Sequence, residues 1–147
     1  GLGGSCLLIR NIEYGGRLII FLFFIVWFGD IVAYYWGKNF GKKPLAPIIS
    51  PNKTIEGSIA GLAGSLVAGA ISGYWFLDHI AMLHCLLVAL ICGIIGQFGD
   101  LAESLLKRQA GIKNSGNVLP GHGGILDRID SLLFAGPAFY CYFKLIL

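Results

Sequence analysis

Between Leu18 and Trp36 the chain is apolar for the width of a bilayer and carries a single charge, Asp30. No other feature constrains the fold as much. A backbone in lipid must satisfy its N–H and C=O groups internally, which leaves only helices and closed barrels. A hydrocarbon core of about 30 Å needs about 20 helical residues. Three further segments approach that length: Gly57–Leu77, Ile80–Gly99 and Leu132–Leu147, the last short and carrying Lys144 near its end. Composition points the same way, with 56% hydrophobic and 13% charged residues among 147, against about 25% charged in an ordinary soluble domain. So much apolar surface excludes disorder. The 22 glycines, the lack of heptads and the lack of basic runs exclude a coiled coil, a collagen-like rod and a nucleic-acid-binding tail. The expected fold is all-α, a polytopic membrane helix bundle of about four transmembrane helices whose two polar loops carry any chemistry.

Gly1 stands where a start methionine is expected, and Met82 is the only methionine, so the chain reads as a fragment. Residues 1–16 are too short and too broken to span, and they lack the basic n-region of a signal peptide. They are expected to be a loop or the remnant of a missing N-terminal helix. Cys6, Cys85, Cys92 and Cys141 form no CxxC pair and no zinc-like spacing. Those within apolar runs read as small hydrophobes, and no disulfide framework is indicated. Gly57/Gly61 and Gly69/Gly73 are GxxxG pairs, which let membrane helices approach closely.

Charge fixes the orientation. Asp78 and His79 alone join the second and third spans, whereas Gly37–Glu56 and Asp100–Ser131 form long connections on one side. These two connections hold Lys38, Lys42, Lys43, Lys53, Lys107, Arg108, Lys113 and Arg128, eight of the eleven basic residues. The positive-inside rule makes that side cytoplasmic.

Three polar segments on that side can carry chemistry. If the third span continues as a helix, Asp100, Glu103, Ser104 and Lys107 share one face, although a solvated amphipathic helix end has the same pattern. Leu119-Pro-Gly121-His122-Gly123-Gly124-Ile-Leu-Asp127-Arg128-Ile-Asp130 sets three glycines around a histidine and two acids on one side of a helical turn. Glycine-rich backbone gathers amides around an anion. Carboxylates suit Mg²⁺, which completes its shell with water and phosphate oxygens. Ser50-Pro-Asn-Lys53-Thr54-Ile-Glu56-Gly57 is either an ordinary helix start with a snorkelling lysine or an anion-binding helix N-terminus. Asp30, costly within lipid, is either salt-bridged to a neighbouring helix or part of a site at the membrane surface.

Taken together these residues resemble a known family. Ser104-x-x-Lys107-Arg108-x4-Lys113-Asn114 followed by Pro120-Gly-His-Gly-Gly-x-x-Asp127-Arg128-x-Asp130 is similar to the signature of the phosphatidate cytidylyltransferases, or CDP-diacylglycerol synthases. Gly29-Asp30…Ala33-Tyr34…Gly37, Ile49-Ser50-Pro-Asn-Lys53-Thr54-Ile-Glu56-Gly57 and Gly99-Asp100-Leu-x-Glu103-Ser104 resemble its other recurring blocks. The resemblance runs from about Trp27 to the chain end. It implies an integral enzyme of the bacterial inner membrane, with its site facing the cytoplasm. Such an enzyme converts CTP and phosphatidic acid to CDP-diacylglycerol and pyrophosphate in phospholipid biosynthesis, with Mg²⁺, K⁺ sharing the site, and a homodimeric state. Residues 17–147 are then its membrane-embedded catalytic domain. One position departs from the family: Asn114 stands where members carry aspartate after the matching lysine.

Roles follow from residue type. Asp100 and Asp127 are expected to hold Mg²⁺, with Asp130 supporting the metal or pinning Arg128. Lys107, Arg108, Lys113 and Arg128 are expected to neutralise phosphate oxygens, which the 121–124 amides, with His122 among them, would cradle. Ser104 would donate to phosphate, Lys53 would take the lipid phosphate, and Asp30 would line the cavity or orient a lysine. The competing readings are a CTP-dependent enzyme for another lipid phosphate or a polyprenol, and a transporter that uses intramembrane acids.

Overall fold

The computed structural model describes residues 2–11, 14–109 and 126–146, with the side chains of residues 2, 3 and 126–130 left out. Five helices and one hairpin are present among them: α1 Leu2–Arg10, α2 Gly15–Phe40, β1 Pro44–Ala46, β2 Ser50–Thr54, α3 Ile55–Trp75, α4 Met82–Gln109 and α5 Leu126–Leu145. Three of the helices, α2, α3 and α4, are long and apolar enough to cross a membrane. The molecule is a helical integral membrane protein. The fourth expected span lies within α5, which begins at Leu126 rather than Leu132 and contains Pro137. Residues 2–10 form a helix that packs on α2 and α5 and buries Ile9.

One core joins α2, α4 and α5. The inward stripe of α2 is Leu18, Phe21, Leu22, Ile25 and Val26, at the three- and four-residue spacing of a helix face. It meets Val88, Ala89 and Cys92 of α4 and Leu132, Ala135 and Phe139 of α5. Phe21 and Phe139 pack edge-on at 5.8 Å between ring centroids. All four cysteines are free, and Cys85 and Cys92 are buried in this core.

The helix α3 packs along α2 through glycine rather than bulk. A Cβ on Gly57 would sit 2.8 Å from the Ala33 carbonyl oxygen, and one on Gly61 would sit 2.8 Å from the Ala33 Cβ. The first GxxxG pair is thus the groove into which α2 fits. Deeper in the bilayer, Ser65 Oγ donates to the Ile25 carbonyl of α2 at 3.2 Å. A hydroxyl in lipid requires such an acceptor.

The polar groups stand mainly on regular elements rather than in loops. Helix α4 runs unbroken past Asp100 to Gln109, and the Gly37–Glu56 connection contains the antiparallel β1–β2 ribbon, with Pro44 opposite Thr54 and Ala46 opposite Ser50. The ribbon is closed by Glu56, whose carboxylate accepts the backbone N–H groups of Lys42 and Lys43 at 3.1 and 3.3 Å. Its turn is tied to α4 by Arg108 Nε, which donates to the Ile49 carbonyl at 3.3 Å. Thr54 then caps α3, its hydroxyl accepting the Gly57 N–H at 3.2 Å.

Candidate functional site

A cavity of about 1170 Å³ opens between α2, α3, α4 and the hairpin. Polar side chains reach it from five elements, among them Asp30 and Lys38 of α2, Lys53 of β2, Ser58 of α3, Asp100 of α4 and Ser131 of α5. Local causes deliver Lys53, Asp100 and Asp30. Lys53 precedes the Thr54 cap, so the start of α3 fixes where its stem begins. Asp100 extends from the face of α4 that also buries Gly96, Gly99 and Glu103. Asp30 follows Gly29, where any side chain would collide with the Ser65 hydroxyl.

Lys53 and Asp100 form an ion pair, with side chains 28% and 32% exposed. Asp30 faces the same cavity, hydrogen-bonds Ser131 and lies within electrostatic reach of both Asp100 and Lys53. Two carboxylates and two lysines, Lys53 and Lys38, therefore line one space, and Lys53 is the one paired with Asp100. The lysine expected as a lipid-phosphate ligand is paired with the aspartate expected as a metal ligand, and among the described residues Asp30 takes Ser131 rather than a basic residue as its hydrogen-bond partner. Below them Gln97 bridges α4 to α3: its Nε2 donates to the Ser58 carbonyl at 3.0 Å, and Ser58 Oγ donates to its Oε1. Trp27, Ile31, Tyr34 and Leu101 supply an apolar wall beside the polar groups. The cavity can thus take a molecule that is charged at one end and greasy at the other.

Beyond Asp100 the same face of α4 continues with Glu103 and Lys107. Glu103 is buried at 7% exposure and pairs with Lys107 one turn on, at 3.2 Å, while Leu105 and Leu106 are exposed. Ser104 stands on this stretch, and Arg108 holds the hairpin turn. Among the described residues, Ser104, Lys107 and Arg108 are not in the cavity wall. Lys113, Gly121, His122, Gly123 and Gly124 lie outside the described residues. Asp127, Arg128 and Asp130 are on the first turns of α5, with their side chains outside the description. Ser131, the next residue of α5, reaches the cavity.

Sequence reasoning did not single out Ser131, Gln97 or Ser58. Gln97 gives a signal, because an amide in an apolar run needs a partner across a helix interface. Ser131 gives none beyond its position after Asp130. The donor set suits a hard divalent cation, since Asp30, Asp100 and Ser131 offer only oxygen. Among the described residues, no three His, Cys, Asp or Glu side chains are grouped to hold a metal.

Comparison with known proteins gives consistent results. Residues 3–146 match the model of the Cytidylyltransferase family. The chain is 46% identical over 140 residues to a phosphatidate cytidylyltransferase of Bacillus subtilis, covering 95% of this chain and 51% of that protein. It is 51% identical over 124 residues to one from Staphylococcus aureus, covering 84% of this chain and 47% of that protein. The chain therefore spans about half the length of the curated relatives it matches. Among solved structures, one described as an intramembrane enzyme for archaeal membrane lipids biosynthesis superposes with a TM-score of 0.63 at 25% identity, covering 85% of this chain and 77% of that one.

Proposed function

Because the chain belongs to the Cytidylyltransferase family, we propose that it carries the reaction centre of a phosphatidate cytidylyltransferase, which makes CDP-diacylglycerol and pyrophosphate from CTP and phosphatidic acid. The observation that carries this reading is the meeting of Asp30, Lys53 and Asp100 in one cavity with an apolar wall. A cavity of that kind suits a substrate with a phosphate head and hydrocarbon chains. The bacterial relatives and the two lysine-rich connections support an inner-membrane location with the site on the cytoplasmic side.

The chemistry is a substitution at phosphorus. An oxygen of the lipid phosphate attacks the α-phosphorus of CTP, a new P–O–P bond forms, and the bond to pyrophosphate breaks. The nucleophile is already charged near neutral pH, because the second pKa of a phosphate monoester is about 6. Such a reaction needs positioning and charge neutralisation more than a general base. Lys53 supplies positive charge in the cavity, and Ser131 and Gln97 hold the surrounding groups in register. Lys107, Arg108, Lys113 and Arg128 are assigned to the phosphate oxygens from the sequence pattern, with Ser104 and the 121–124 backbone.

Asp100 and Asp30 fit a divalent cation by donor chemistry, and Asp127 and Asp130 complete the set on the sequence pattern. When bound, Mg²⁺ would neutralise phosphate charge and ease the departure of pyrophosphate. K⁺ and a homodimeric assembly belong to the same proposal.

The test is transfer of label from α-phosphate-labelled CTP into the organic-extractable lipid of membranes that contain this chain. Phosphatidic acid and Mg²⁺ are supplied, with Asp100→Asn and chelated samples as controls. Lipid label lost in both controls supports the reading; wild-type membranes that incorporate none overturn it for this chain. A second reading has its own observation, the likeness to the archaeal lipid enzyme. On that reading the acceptor is a different lipid phosphate, and an acceptor panel of diacyl, ether-linked isoprenoid and polyprenyl phosphates separates the two.

A further inference from the structure

Two carboxylates in a membrane-embedded cavity need positive charge nearby, because an uncompensated anion there is costly. Two lysines line the cavity, Lys38 and Lys53, and among the described residues it is Lys53 whose ammonium pairs with Asp100 and lies within electrostatic reach of Asp30. The nitrogen atom is buried and, among the described residues, has no hydrogen-bond acceptor beyond that ion pair. An ammonium carries three N–H donors, so part of its donor capacity is unspent inside a cavity suited to phosphate. Lys53 also stands on a strand end rather than within a helix, on a four-carbon stem. It can change partner without moving α2, α3 or α4.

We propose that Lys53 is the internal counter-ion of the cation site. It neutralises the carboxylates in the metal-free protein, a divalent cation displaces it, and the displaced ammonium then binds a substrate phosphate. The inference rests on the nucleotidyl-transfer reading and deepens it, because it makes Lys53 a competitor of the metal as well as a ligand of the substrate. The consequence is opposite to that of an ordinary binding residue. Removing Lys53 should improve metal affinity while it impairs turnover.

The test is Mn²⁺ binding to the purified full chain in detergent micelles, read from the loss of the free-ion electron paramagnetic resonance signal. Lys53→Met should bind Mn²⁺ about tenfold more tightly than wild type, a change of about 1.4 kcal/mol. Lys53→Arg, which restores the charge, should stay near wild type. Lys53→Gln provides a second neutral variant if Lys53→Met melts early. In wild type, Mn²⁺ should tighten binding of a short-chain phosphatidate or of CTP. Lys53→Met should reduce that gain for whichever phosphate receives the ammonium, which tells lipid from nucleotide. Unchanged or weaker Mn²⁺ binding in both neutral variants overturns the inference, as does an undiminished gain for both phosphates. If Asp100→Asn binds Mn²⁺ as wild type does, the metal part of the functional reading falls and the inference falls with it. If Asp100→Asn loses Mn²⁺ while the Lys53 variants gain nothing, the inference alone falls.

Discussion

Asp100 and Gly61 show how differently two residues on neighbouring helices can matter. Replacing Asp100 with Asn leaves the buried Lys53 nitrogen without its ion pair and removes a carboxylate from the cavity. Lipid labelling should fall by at least about a hundredfold, the scale seen when a charge-stabilising group is removed. The protein should still be recovered folded in detergent, where its melting curve checks that the loss is chemical. Gly61 acts through space alone. A methyl group there would press on the Ala33 Cβ and lie 3.2 Å from Gln97 Nε2, so Gly61→Ala should cost about 1–3 kcal/mol by overpacking. Gly16, which has nothing within 4 Å of an added Cβ, is the control. Gly16→Ala should be neutral or stabilising by about 0.5–1 kcal/mol. Thermal melts of the two variants in the same detergent decide the comparison, and equal melting points would contradict the groove described for α2.

At the scale of elements, the hairpin is the part that sequence reading did not foresee. Pro44, Pro47 and Pro51 keep this segment out of helix, as proline does. The strands are three and five residues long, too short to display the alternation that marks a strand. By contrast, the apolar runs made α2, α3 and α4 legible, because lipid leaves the backbone few options. The continuation of α4 was legible only as a conditional, from the shared face of Asp100, Glu103 and Lys107. Asp30 stood out as a charge in a costly place and Asp100 as part of a polar helix face, whereas Ser131 and Ser58 did not, since a serine in a membrane helix is common and says little until its partner is known. The hairpin depends on Glu56. In Glu56→Ala the amides of Lys42 and Lys43 lose their shared acceptor, and their hydrogen exchange should quicken about tenfold, for about 1.4 kcal/mol of lost protection. Amides in the middle of α3 should be unaffected, and mass spectrometry of proteolytic fragments reads both.

For the whole molecule, charge and topology make a joint statement that labelling can check. Ile48, at the hairpin turn and 92% exposed, and Asp78, in the short turn between α3 and α4, should face opposite sides of the membrane. Ile48→Cys and Asp78→Cys, each in a background free of native cysteine, should react with an impermeant maleimide in vesicles of opposite sidedness. Reaction of both in the same vesicles would overturn the orientation. The unbroken α4 has a further consequence. From Asp100 to Gln109 it extends about 13 Å beyond the aspartate, at about 1.5 Å per residue, while the residues before Asp100 are its apolar stretch. Asp100 is therefore fixed on a rod whose depth the surrounding hydrocarbon sets, and mismatch shifts or tilts such a rod at a modest cost. Lipid labelling in vesicles of graded acyl length should pass through a maximum; a flat response would mean that the rod does not govern the depth of the site. On the proposed function, the site would then be tuned by the thickness of the sheet that its own product would help to build.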